Sequence, residues 1–111
     1  PVIEPMDIVL GNRDGTSCDQ GFTHGVRDFF TGKGYSVSIN DPFKGVEIIR
    51  RHGAPTRGKH CLQIEINKAL YMDETTFEKS TNYTALKKDI DAFISYCAAY
   101  VQSRLTRLAA D

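Results

Sequence analysis

With 111 residues, the chain has room for one small hydrophobic core, as a single α/β domain or as part of a larger one. Its fourteen basic and fourteen acidic residues cancel, which leaves no overall field to draw nucleic acid or an anionic membrane. Three cysteines, Cys18, Cys61 and Cys97, stand far apart and outside any CxxC or zinc-ribbon spacing, which argues against a disulfide scaffold.

Reduced thiols that serve packing are therefore expected. No stretch approaches the run of roughly 18 apolar residues that spans a bilayer, so the chain reads as soluble and cytoplasmic. Asp7-Ile8-Val9-Leu10 is a short apolar run ending at Gly11, and Pro5 ahead of it discourages a helix; a buried strand is expected. Residues 11–18, Gly-Asn-Arg-Asp-Gly-Thr-Ser-Cys, have the composition of a tight loop. The backbone amides of such a loop are available to a ligand, although a purely structural turn uses the same residues. Asp19 is placed to cap a helix running to about Thr31, with Phe22, Val26, Phe29 and Phe30 along one face and Gly32 and Gly34 stopping it. Residues 35–40 alternate apolar and small polar side chains, which closes a parallel strand, helix, strand unit.

Asp41-Pro42-Phe43-Lys44-Gly45 reads as a turn, and residues 46–52 as a short helix or irregular arm ending in Arg50-Arg51-His52. Arg is the side chain that grips a carboxylate through two parallel hydrogen bonds, so one of this pair can serve a site. In His60-Cys61-Leu62-Gln63-Ile64-Glu65-Ile66-Asn67, Leu62, Ile64 and Ile66 fall on one face of a central strand. Gln63, Glu65 and Asn67 fall on the other, a row of amide, carboxylate and amide suited to the floor of a site. From spacing alone, an exposed sheet face whose Glu65 meets a neighbouring Lys or Arg is the plainer alternative. A polar loop over residues 73–81 precedes a long final helix capped by Thr81 or Asn82. Its stripe of Leu86, Ile90, Phe93, Ile94, Cys97, Val101, Leu105 and Leu108 is expected to cover one side of the sheet. If all three strands run parallel, the loops after Leu10, Asn40 and Asn67 share the sheet edge where open α/β folds place ligands.

Those loops hold Arg13, Thr16 and Ser17, then Arg50 to His52, then Tyr71, Asp73 and Glu74. Glu65, fixed on a strand, has the rigidity that a general base or acid requires. His24, His52 and His60 lack HxxE, HxxxH or HExxH spacing, so the chain alone offers no metal site. Ser17 and Cys18 lie in no GxSxG elbow, and neither a phosphate loop nor a GxGxxG fingerprint is present.

Three ordered blocks carry a resemblance. Residues 10–18 resemble the LGxRxGTSC segment of the N-formylglutamate amidohydrolases. Residues 43–50 are similar to the arm that follows the next strand of that family, and residues 62–74 to its LQIEINRALYMDE block. Where many relatives carry a GGYITRHYG-like arm, this chain has Gly45-Val46-Glu47-Ile48-Ile49-Arg50-Arg51-His52-Gly53. The resemblance implies part of a larger sheet like that of the zinc-dependent exopeptidases, and hydrolysis of an N-formyl or other N-acyl amino acid, such as N-formylglutamate, to formate and the free amino acid. It implies a zinc ion that lowers the pKa of a bound water, with Glu65 as the general base that takes the proton. Arg50 is the first choice to hold a substrate carboxylate and Arg13 the second, with Thr16, Ser17 and Asn67 as further substrate contacts. The family's metal ligands lie upstream of its LGxRxGTSC segment, so this chain corresponds to the C-terminal portion, with the missing N-terminal part of the same enzyme as its partner. A small α/β binding or assembly domain without the metal centre is the alternative.

Overall fold

The computed structural model describes residues 5–110, which fall into two compact units divided between Asn67 and Lys68. The first unit is a mixed α/β layer in which β1 (Ile8–Gly11), α1 (Gln20–Gly32), β2 (Val37–Ile39), α2 (Glu47–His52) and β3 (Gln63–Ile66) follow in order. The sheet order is β2-β1-β3. All four residues of β1 are buried, as an apolar run bonded on both sides requires. β1 runs parallel to β2, with Ile8, Val9 and Leu10 opposite Val37, Ser38 and Ile39. The strand, helix, strand unit is as the alternation predicts.

β3 differs from expectation in two respects. It lies at the side of this sheet rather than in its centre, and it runs antiparallel to β1, with Val9 opposite Glu65 and Gly11 opposite Gln63. The chain therefore leaves β3 beside the start of β1, where the Asn67 N–H donates to the Asp7 carbonyl (2.9 Å). That is the end of the sheet opposite to the loops that follow β1 and β2. A connection of some twenty residues permits either direction, and hydrogen-bond pairing made the choice.

Paired residues on adjacent strands share a face. Ile8, Leu10, Val37, Ile39, Ile64 and Ile66 make one face; Val9, Gly11, Ser38, Gln63 and Glu65 make the other. Complete burial of Ile8, Leu10, Val26 and Phe30 marks the core of this unit. The buried stripe of α1 is Thr23, Val26 and Phe30 rather than one led by Phe22, because the Thr23 hydroxyl has inward partners. It donates to the Asp19 carbonyl (2.9 Å) and accepts from Asn12 Nδ2 (3.0 Å). Asp19 caps the helix by accepting the Phe22 N–H at 2.6 Å. Phe30 stands edge-on to Phe29 and Tyr35, with ring centroids 5.3 and 6.1 Å away.

In the second unit, residues 68–70 form a single 3-10 turn and Met72 bridges Lys79. The Asp73 carboxylate accepts the Thr75 and Thr76 N–H groups at 2.8 and 3.0 Å. Those two backbone donors, Thr76 foremost, hold its carboxyl below the ordinary 3.8. Asn82 precedes α3 (Tyr83–Ala110), and its Nδ2 donates to the Leu70 carbonyl (3.1 Å). Of the predicted apolar stripe, Leu86 is buried, whereas Ile94, Val101, Leu105 and Leu108 are exposed. Among the described residues, no helix is long and apolar enough to cross a membrane.

One backbone crossing sets the geometry of the first unit. A Cβ added to Gly11 would lie 2.8 Å from the Lys44 carbonyl carbon and 2.9 Å from Gly45 N, so the arm after β2 passes directly over the end of β1. Gly11→Ala is therefore expected to destabilise the protein by about 1–3 kcal/mol, the usual cost of overpacking. Gly32, at the end of α1, has no such neighbour within 4 Å, and Gly32→Ala is expected to leave stability unchanged or slightly raised. Urea midpoints of the two variants check the contrast.

Candidate functional site

The loop after β1 is organised by Asn12, which is completely buried. Its Oδ1 accepts from Gly15 N (2.9 Å) and Asn40 Nδ2 (2.7 Å). Its Nδ2 donates to Gln20 Oε1 (3.2 Å) and Thr23 Oγ1 (3.0 Å). Its own N–H donates to Asn40 Oδ1 (2.9 Å), which closes a reciprocal pair between the ends of β1 and β2. Arg13 and Asp14 take the left-handed conformation, with φ of 51° and 56°, and Gly15 follows at 86°. The N–H groups of Gly15, Thr16 and Ser17 all donate to carbonyls of Asn12 or Arg13. The structural alternative therefore holds for these amides, which are taken up inside the turn.

Ser17 is buried, and its hydroxyl donates to the Cys61 carbonyl (2.9 Å), while the Cys61 N–H donates to the Ser17 carbonyl (2.7 Å). It ties the segment before β3 to the loop. Thr16 is exposed, with its hydroxyl donating to the Arg13 carbonyl (2.7 Å). Cys18 is buried, and burial pushes its thiol above the ordinary 9.0, which suits packing rather than nucleophilic work.

On the Val9 and Glu65 face, a cleft of about 450 Å³ opens. Met6, Val9, Pro42, Phe43 and Ile66 give it apolar walls beside Pro5, and Asp41, Glu65 and Asn67 supply its polar groups. Two predicted residues, Glu65 and Asn67, thus meet in one cavity, whereas Arg13, Thr16, Ser17 and Arg50 are not among its lining residues. The Glu65 carboxylate is exposed, forms no ion pair among the described residues, and accepts a hydrogen bond from Gln63 Nε2 at 3.0 Å. The plainer alternative, a surface carboxylate paired with Lys or Arg, is not what the fold builds. Asp41 and Phe43, read only as parts of a turn, were missed as cleft residues; no local pattern signals them, because their place follows from the crossing over Gly11.

Of the two candidate cations, Arg50 lies on α2 and Arg13 on the loop after β1. Arg13 Nη1 donates to the Gly45 carbonyl (3.2 Å). Arg50 reaches Glu47 through Nε and Nη2, at 2.6 and 2.5 Å, in the two-point geometry expected of a carboxylate grip. Its partner here is a resident glutamate. Among the described residues, no group of three or more His, Cys, Asp or Glu comes together to hold a metal ion. His60 Nδ1 accepts the Asp19 N–H at 3.1 Å, and His24 and His52 are exposed.

The Arg50 hydrogen bond holds the Glu47 carboxyl below its ordinary 4.5. A carboxyl depressed by folding contributes stability above its unfolded value and loses it as pH falls through the folded one. The pair should therefore be complete from neutral pH down to about 4.5 and open only in more acidic solution. A carbon NMR titration of the Glu47 carboxyl should show this depressed midpoint, and Arg50→Gln should return it to the ordinary range.

Residues 3–72 match the family model described as N-formylglutamate amidohydrolase. The chain is 36% identical over 70 residues to N-formylglutamate deformylase of Pseudomonas putida, and 36% identical over 69 residues to that of Pseudomonas aeruginosa. These stretches cover 62% and 61% of the chain but 26% of each relative, so the chain spans about a quarter of the length of the curated relatives it matches. The crystal structure of an N-formylglutamate amidohydrolase from Ralstonia eutropha JMP134 superposes with a TM-score of 0.87 at 39% identity, over 92% of this chain and 36% of that one.

Proposed function

Because the chain belongs to the N-formylglutamate amidohydrolase family, we propose that it supplies part of the active site of a hydrolase, one that cleaves the amide of an N-formyl amino acid such as N-formylglutamate. Glu65 is the general base. The observation that carries this reading is the exposed carboxylate on a rigid strand, opening into a cleft whose other walls are largely apolar. Such a wall limits competing water around a reacting carboxylate while leaving space for a small substrate.

The chemistry of the chain's own residues follows. Glu65 takes a proton from a water molecule, whose oxygen forms a bond to the formyl carbon. As the tetrahedral carbon collapses, the C–N bond breaks and Glu65 returns the proton to the departing nitrogen, giving formate and the free amino acid. Asn67 lines the same cleft as Glu65, and we assign it a hydrogen bond to the substrate. Arg50 and Arg13 are the cations we assign to the substrate carboxylate; for Arg50 that carboxylate must displace Glu47, which already fills the grip. The zinc implied by the resemblance finds no group of three or more ligands among the described residues, and we assign its ligands to the N-terminal part of the same enzyme. β2 and β3 each pair only with β1 among the described residues, which supports a sheet continuing into a larger, zinc exopeptidase-like one. A cytoplasmic location fits the three free thiols.

The test is formate release by the protein at its full natural length. Glu65→Gln should keep the fold, judged by thermal unfolding, and lower kcat by about 10²–10⁴-fold, the usual contribution of a general base. Undiminished turnover would exclude the role.

A further inference from the structure

Gln63 lies two residues before Glu65 on β3, so the period of the strand puts both side chains on the cleft face. Its amide makes two bonds in opposite directions. Gln63 Oε1 accepts the Val46 N–H at 3.2 Å, and Gln63 Nε2 donates to Glu65 Oε1 at 3.0 Å. A backbone N–H can be met only by the amide oxygen, so the Val46 contact fixes which way the amide points and obliges its nitrogen to face the carboxylate. Val46 belongs to the same arm that crosses Gly11 and leads into the Arg50 helix.

We propose that Gln63 is a positioning residue for the Glu65 base, holding one carboxylate oxygen through a bond that the Gly45–Val46 arm itself orients. This rests on the proposed function above. Glu65 Oε2 has no protein donor among the described residues and is left to exchange the proton with water and substrate. A neutral amide suits the task because it orients a carboxylate without neutralising it, whereas a cation would hold it as an ion pair. The relay also makes the base sensitive to the arm: a displacement of Val46 releases the amide, and with it the direction in which Glu65 points. Misplacement of a reacting group by about 1 Å can cost 10²-fold in rate, so one such bond is enough to matter.

The experiment is a kinetic comparison of Gln63→Leu and Gln63→Glu in the full-length protein, with Glu65→Gln beside them. Gln63→Leu removes both bonds and should lower kcat by up to about 100-fold, with KM little changed. Gln63→Glu is nearly isosteric and serves as a probe even where leucine perturbs folding. At low pH the introduced carboxyl is protonated and donates to Glu65 as the amide did; at higher pH two like charges face one another. Its kcat should therefore fall with rising pH along a limb that neither the parent nor Gln63→Leu shows. A change in stability alone would not produce that pH-dependent rescue. An unchanged kcat in Gln63→Leu, or a Gln63→Glu profile that parallels the parent, would overturn the inference while Glu65→Gln remains inactive. An active Glu65→Gln instead brings down the general-base reading itself, and the relay with it.

Discussion

A fully buried side-chain amide with unmet hydrogen bonds costs more than it contributes, and Asn12 avoids that cost by meeting every donor and acceptor it has. Its side-chain partners are four residues from three parts of the chain: Gly15 in its own loop, Gln20 and Thr23 on α1, and Asn40 after β2. Because each bond has a direction, the four together set the spacing between the end of β1, the end of β2 and the first turns of the helix. The left-handed backbone at Arg13 and Asp14 persists against its intrinsic cost because this network over-determines it. Everything on the cleft face is built from that fixed point, since Gly11 immediately precedes Asn12 and receives the arm from Lys44 to Val46.

The two faces of the sheet then divide the labour. One takes the aliphatic residues of all three strands and, with Val26 and Phe30, forms the core. The other carries Val9, Gln63 and Glu65, and antiparallel pairing sets Glu65 within β3, opposite Val9 of β1. A carboxylate on a strand paired along its length with β1 has less freedom than one on a loop. The antiparallel direction also accounts for the segment before β3 lying against the loop after β1, where Ser17 and Cys61 exchange hydrogen bonds. A parallel third strand would have brought residues 68–74 to that edge instead.

The cations of the first unit are arranged differently from the carboxylate. Arg50 is already occupied by Glu47, and Arg13 leans on the Gly45 carbonyl. Glu47 is exposed, so the pair adds little to stability. In the second unit, α3 keeps Phe93, Tyr96 and Tyr100 in a row along its surface, with centroids 6.4 and 6.5 Å apart, while the aliphatic residues of its later turns remain exposed.

Local pattern was enough to read the strands around Val9, Val37 and Ile64, the Asp19 cap and the long final helix, because periodicity and capping act over a few residues; it left residues 46–52 open between a short helix and an irregular arm. The alternation 62–67 likewise marked Glu65 and Asn67 as sharing a face, and the three family blocks identified the lineage. Tertiary structure alone decided the direction of β3, the burial of Thr23 in place of Phe22, the structural use of Ser17, and the entry of Asp41 and Phe43 into the cleft. It also decided that the Gln63 amide spans from the arm to Glu65. Each of these depends on which distant backbone pairs or crosses, as at Gly11 with Lys44, and a contact across more than thirty residues leaves no periodic trace in the amino acids that make it.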